Sequence, residues 1–260
     1  MQTHKNISPT FCVLPWMHLA AMSNGFAKIC CLSTDDLIDE SGNIYSFETH
    51  TIKEIWNSKP MLEVRRKMLA GERLAGCGQC YNEELLGGHS MRLGFNEKWF
   101  QQEPEAIESR ISESINNNSK LSSMPWYYDL RQGNLCNLKC RSCSSENSVA
   151  IEKEYAQVIK TESKFSEYMF QTELSDSYKN WFSSPIFTTS FNEELLNIKK
   201  LYFTGGEPTL IEKNYEIMDF FIKNNLAKDV ELMFNTNATK LTPRFINLIS
   251  QFKHVMLNLS

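Results

Sequence analysis

Three cysteines stand close together in the run Cys136-Asn-Leu-Lys-Cys140-Arg-Ser-Cys143, directly after the strand-like stretch 126–131. Three thiolates can hold three irons of a 4Fe–4S cube and leave the fourth open to a substrate or cofactor atom. A structural zinc site closes with four ligands, and no fourth cysteine or histidine lies close by in sequence. Five further cysteines, Cys12, Cys30, Cys31, Cys77 and Cys80, come earlier and end in Cys77-Gly-Gln-Cys80. The start, Met1-Gln-Thr-His-Lys-Asn-Ile-Ser, lacks the layout of a signal peptide, so the chain is expected to be cytoplasmic. Thiols stay reduced there, and metal or cluster ligation is the natural use of both groups.

The elements that must position these thiols follow from pattern. Ser23-Asn24-Gly25 separates two short apolar runs and Ser41-Gly42-Asn43 marks a second turn, both with hairpin chemistry. A helix is predicted from about Ser58, with Pro60 in its first turn, Met61, Leu62, Val64, Met68 and Leu69 on one face, and Gly71 ending it. Residues 101–124 are polar and read as a connector, partly helical at most. From Trp126 onward, strands at 126–131, 200–204, 230–235 and 255–259 alternate with helical stretches, which predicts βαβ units and a parallel sheet. Functional groups then belong at the carboxyl ends of the strands. Gly205-Gly206-Glu207-Pro208 lies at one such end, 62 residues after Cys143. Phe165, Tyr168, Phe170, Tyr178, Trp181 and Phe182 occupy a long insertion and are expected to cover an outer face.

Cys-x3-Cys-x2-Cys after one strand and Gly-Gly-Glu after the next resembles the radical S-adenosylmethionine (radical SAM) enzymes. The resemblance implies an α/β fold with a partial (β/α) barrel of six parallel strands. About four are present in residues 125–260, and the chain stops in mid-strand at Leu257-Asn-Leu-Ser260, so a truncated barrel is expected. It further implies that Cys136, Cys140 and Cys143 ligate a 4Fe–4S cluster whose open iron is chelated by S-adenosylmethionine. Electron transfer then yields methionine and a 5′-deoxyadenosyl radical that abstracts hydrogen from a substrate. Gly205 and Gly206 would let the backbone approach the methionine moiety, and Glu207 would fix the turn or accept from the ammonium. Asn235-Thr236-Asn237 resembles the family's Thr-Asn-Gly, with Ala238 in place of the glycine, and Ser260 stands where a polar residue meets the ribose. Ser142 replaces a common aromatic residue before the third cysteine.

Within residues 1–100, Cys12-x12-Gly25-x4-Cys30 and Cys77-x2-Cys80 resemble the SPASM domain in its shortened form, twitch, a small α+β unit carrying an auxiliary iron–sulfur cluster. Cys30 fits that spacing better than Cys31, and adjacent strand residues point to opposite faces. A zinc ribbon with four cysteine ligands serves the same spacing, so zinc remains a second reading of Cys12, Cys30, Cys77 and Cys80. The resemblance leans toward a peptide substrate, with small molecules open, and a reductant such as flavodoxin or ferredoxin. A non-catalytic zinc- or iron–sulfur-binding protein with a degenerate barrel is the rival reading. Net charge is −4 and the longest apolar stretch, Phe11–Met22, is short of a membrane span, so neither nucleic acid nor membrane is expected as a partner.

Overall fold

The computed structural model describes residues 7–161 and 181–260, so Phe165, Tyr168, Phe170 and Tyr178 lie outside the described residues. Six strands make one sheet: β1 (His18–Ala21), β2 (Ala27–Lys28), β3 (Tyr127–Arg131), β4 (Lys200–Thr204), β5 (Glu231–Thr236) and β6 (His254–Leu259). Their order is β2-β1-β3-β4-β5-β6, with β1 and β2 antiparallel and every other pair parallel. The α/β class and the parallel run β3 to β6 follow the sequence reading, with ends moved by no more than one residue. The sheet is open among the described residues. β1 was not expected in it: this strand of the amino-terminal region runs parallel to β3, pairing His18 with Tyr127 and Ala21 with Leu130. The sheet is therefore continuous across the boundary read at residues 101–124.

Nine helices are described: α1 (Ile52–Trp56), α2 (Lys59–Ala70), α3 (Gly78–Leu85), α4 (Met91–Gln102), α5 (Pro104–Asn116), α6 (Val149–Thr161), α7 (Pro185–Glu194), α8 (Glu212–Lys223) and α9 (Pro243–Ile249). α2 begins after Ser58 and ends at Gly71, whose φ of 76° supplies the left-handed cap. α5 corrects the expectation of a polar connector. Ile107, Arg110, Ile111 and Ser114 are all buried, so the isolated isoleucines are one helical face whose remaining positions carry polar side chains. A count of apolar residues misses such a face.

Alternation along the strands gives the sheet two unlike faces. On one, Tyr128, Leu201, Phe203, Leu232 and Phe234 are buried under α7, α8 and α9. Tyr128 meets Phe191 edge-on at 5.6 Å, and Phe234 meets Phe245 at 5.1 Å. The other face carries His18, Tyr127, Asp129, Arg131, Lys200, Tyr202 and Glu231. α4 covers its amino-terminal end, with Trp99 6.2 Å from the Tyr127 ring and Lys98 3.8 Å from Glu231. Trp181 is fully buried elsewhere, against Phe47 and Phe187, so it is core. No helix among the described residues is long and apolar enough to cross a membrane.

The approach to β1 is the least regular part of the core. Residues Phe11 to Met17 are all buried, yet only Leu14–Trp16 form a short 3-10 turn. Buried carbonyls need donors, and arginines provide them. Arg65 Nε donates to Pro15 O at 2.8 Å, and its Nη atoms donate to Trp56 O (2.9 Å) and Ser119 O (3.1 Å). Arg110 donates to Trp16 O and Met124 O, both at 2.8 Å. Each guanidinium also lies over an indole, Arg65 on Trp56 at 4.2 Å and Arg110 on Trp126 at 4.1 Å. Burial, with Arg110 nearby, lowers the Arg65 guanidinium to about 9, which leaves it charged at neutral pH.

Removing Arg65 would strand three buried carbonyls and open a void. Arg65→Ala is expected to cost about 3 kcal/mol or more, read as a lower urea midpoint. Arg65→Lys should recover only part of it, because an ammonium cannot span the three acceptors.

Candidate metal centres

The amino-terminal thiols are positioned by three separate pieces of chain. Cys12 is clamped from α4: Asn96 accepts from Val13 N (2.8 Å) and donates to Phe11 O (3.0 Å), while Arg92 donates to the same carbonyl at 2.6 Å. Cys30 follows β2, and its loop is stitched to the turn before α3. Thr34 N donates to Gly76 O, and Gly76 N donates to Asp35 Oδ2 at 2.8 Å. A side chain at Gly76 would strike Asp35 at 2.7 Å, so glycine is what lets this turn close. The 3-10 turn Ala75–Cys77 then runs into α3 and presents Cys77 and Cys80.

The result is one cavity walled by Cys12, Cys30, Cys77 and Cys80 together with Ile29, Met68 and Phe95. Cys31 is absent from that wall and lies instead beside Asp129 and Arg131 of β3. Burial raises the Cys12 thiol well above its ordinary value, and Cys30, Cys77 and Cys80 oppose its ionisation further. Cys30 and Cys77 are each pushed up to about 11, chiefly by burial. Four thiolates in such a place require a cationic core to offset them. Among the described residues no three His, Cys, Asp or Glu side chains are set to hold a metal ion as they stand. The donor set and its apolar surround nonetheless fit an iron–sulfur cluster.

Cys136, Cys140 and Cys143 occupy the loop between β3 and α6. Cys140 is exposed, and Cys136 and Cys143 are half-buried. Leu138 N donates to Cys136 Sγ at 3.4 Å, and Cys143 N donates to Cys140 O at 3.0 Å, closing the last turn. Burial raises the Cys143 thiol, and Cys136 and Cys140 are close enough to raise it further. The loop is held at its base by Asn134, whose amide donates to Ser145 O (3.0 Å) and to Glu152 (2.9 Å).

The strand ends read as cofactor contacts meet this loop directly. Glu207 N donates to Leu135 O at 2.7 Å, and Gly206 N donates to Gly133 O at 3.3 Å. A Cβ on Gly206 would lie 2.2 Å from Leu135 O, and Gly205 has φ +93° with Arg131 against it. These glycines therefore admit the cysteine loop's own backbone, a reason different from the expected approach of a methionine moiety. Glu207 is buried, and its carboxylate accepts from Thr209 Oγ1 and Thr236 Oγ1 (both 2.6 Å), Thr209 N (3.1 Å) and Asn237 N (2.7 Å). It ties the end of β4 to the end of β5. Asn137, inside the cysteine motif, bonds Thr239 (2.8 Å) and Asn237 (3.0 Å). Asn235 accepts from Asn258, and Ser260 N donates to Thr236 O at 3.2 Å, so β6 joins the same rim. Ala238, the residue after the Asn235–Asn237 turn, takes φ +55°, a conformation that costs a non-glycine residue about 1 kcal/mol or more.

Below that rim, Asp129 is buried on the polar face with Arg131 Nη2 3.7 Å from Oδ2 and no partner for Oδ1 among the described residues. Burial raises its carboxyl to about 6, partly offset by Arg131. Sequence reasoning passed over Asp129, Asn137, Arg92 and Asn96. Arg92 and Asn96 stand four apart on one helix, a spacing that marks a shared face.

Residues 12–81 match the SPASM family, described as an iron–sulfur cluster-binding domain. The match begins at Cys12 and closes one residue after Cys80, so it spans all five amino-terminal cysteines. It favours iron–sulfur over zinc in that cavity. No curated protein and no solved structure matches the chain.

Gly206→Ala is expected to displace residues 133–135 and lower iron bound by the second cysteine group, while iron in the amino-terminal cavity is retained. Iron analysis in Gly206→Ala against Cys140→Ala checks this. Asp129 supports a second test. Its folded value lies above the ordinary 3.8, so the stability it contributes is complete below about 4 and is lost as pH rises through about 6. His18, which burial lowers to about 4, titrates with the opposite sign in an overlapping window. Asp129→Asn should therefore gain about 2–3 kcal/mol relative to wild type between pH 4 and pH 7 in urea unfolding. Arg131, Tyr127, Tyr202 and Cys31 face the same carboxylate and are unchanged in that comparison.

Proposed function

We propose that the protein is a radical SAM enzyme with two iron–sulfur sites, an auxiliary cluster on Cys12, Cys30, Cys77 and Cys80 and a 4Fe–4S cluster on Cys136, Cys140 and Cys143. The observation that carries the reading is the join between the cysteine loop and the two following strand ends. Gly205-Gly206-Glu207 and Asn237–Thr239 are hydrogen bonded to the loop through Gly133, Leu135 and Asn137, so three motifs far apart in sequence form one rim. Parallel strands place such rims where α/β proteins bind ligands. On this reading β3 to β6 are the first strands of a partial (β/α) barrel.

The loaded site would supply the electron that cleaves S-adenosylmethionine to methionine and a 5′-deoxyadenosyl radical for hydrogen abstraction. The chain's own residues do the positioning. Three thiols would leave one iron of a 4Fe–4S cube without a protein ligand, and Cys140 is the exposed member of the three. Glu207 is fully engaged by hydroxyl and backbone donors, so its part is to fix the rim on which Asn235, Thr236, Asn237 and Ser260 would meet the ligand. A one-electron donor such as flavodoxin or ferredoxin would supply the reductant, and the substrate would be a peptide or a small molecule.

Anaerobic reconstitution with iron and sulfide, then S-adenosylmethionine and dithionite, tests the reading. A broad absorption band near ~400 nm is expected for thiolate-ligated iron, with 5′-deoxyadenosine as product. Cys140→Ala should abolish the product while the amino-terminal iron remains. Uptake of zinc alone, colourless because its d shell is filled, would sink the reading in favour of a non-catalytic metal-binding protein.

A further inference from the structure

Arg92 is the only charged side chain that lines the amino-terminal cysteine cavity among the described residues. It is 6% exposed, far below what an arginine adopts without a reason. Its position is built from several sides. Nη1 donates to Phe11 O, the carbonyl just before Cys12, at 2.6 Å. Nε donates to Glu84 Oε1 at 2.9 Å, and Nη2 is bonded to Glu84 Oε2. Ser90 binds the same carboxylate, and the guanidinium lies 5.6 Å from the Tyr81 ring. Glu84 sits on α3, one turn beyond Cys80, so the pair spans from the cysteine helix to α4.

We propose that Arg92 and Glu84 form a charge pair that sets the reduction potential of the cluster in this cavity, Arg92 raising it and Glu84 lowering it. The inference rests on the iron–sulfur reading of the site given above. Reduction adds one electron, and hence one negative charge, to a core already carrying four thiolates. A fixed cation at the cavity wall stabilises that added charge, in a surround of low polarity where each charge counts for more than in water. Glu84 lies behind the guanidinium, away from the wall, so it opposes the effect from a greater distance. It also locks the side chain, which an exposed lysine or arginine would not be. Both residues act through the cluster's electrostatics and are positioning residues.

The test is a redox titration of the full chain on the Cys140→Ala background, reconstituted anaerobically and followed by visible absorption and electron paramagnetic resonance. Arg92→Gln should lower the ratio of reduced to oxidised cluster at a fixed applied potential by about tenfold, a shift of about 59 mV for one electron. Glu84→Gln should shift the ratio the other way, and Arg92→Lys should remain nearer to wild type than Arg92→Gln. Opposite shifts support the charge pair, because a merely structural role predicts loss of cluster and no change of sign. If Arg92→Gln fails to load iron, Glu84→Gln decides alone. A loaded cluster whose midpoint is unmoved by Glu84→Gln, or moves the same way in both variants, overturns the inference and leaves the iron–sulfur reading intact. Failure of the parent chain to load iron overturns both.

Discussion

Everything in this fold depends on how the buried segment 11–17 is satisfied. It has little regular hydrogen bonding of its own, it carries Cys12, and it delivers the chain into β1. Arg92, Arg65 and Arg110 donate to the carbonyls of Phe11, Pro15 and Trp16, each from a different helix. Polar groups so deep in a core are tolerated only when each has a partner, and delocalised guanidinium groups can serve two or three carbonyls at once. The segment therefore fixes α2, α4 and α5 relative to the sheet, which makes the amino-terminal region a part of the same core as β3 to β6.

That arrangement also sets the two thiol groups at different levels. Cys12 and Cys30 lie near the amino-terminal end of β1, as the bond from His18 to Ile29 O shows, while Cys136 follows the carboxyl end of β3. β1 and β3 are parallel neighbours, so the two groups are offset by roughly 15 Å of strand. The polar face with Asp129, Arg131 and Tyr202 lies between those levels. Cys31 joins it beside Asp129 and Arg131, while its neighbour Cys30 lines the cavity.

The cysteine loop is held by backbone contact more than by side chains. Gly205 and Gly206 leave room for Gly133 to Leu135, and Glu207 gathers two strand ends around one carboxylate. Such a site is rigid at its base and open at its tip, where Cys140 is exposed. That contrast suits the proposed role, in which the loop would keep three thiols in register with space above them.

The sequence by itself determined what local chemistry controls. Strands β3 to β6, the helix capped by Gly71, and both cysteine groups were legible because period, turn residues and spacing are short-range signals. The tertiary structure alone decided which partners those elements take. His-Leu-Ala-Ala at 18–21 has no alternation that names a neighbour, and only packing places it beside β3, more than a hundred residues away. Residues 104–116 read as connector because two of the buried positions on their helical face are Arg110 and Ser114, whose burial depends on carbonyls and an indole supplied from elsewhere. Gly206 was legible as a glycine that must stay small. That the object pressed against it is the cysteine loop itself could be known only once the strands were side by side, because a missing side chain records a close approach without recording what approaches.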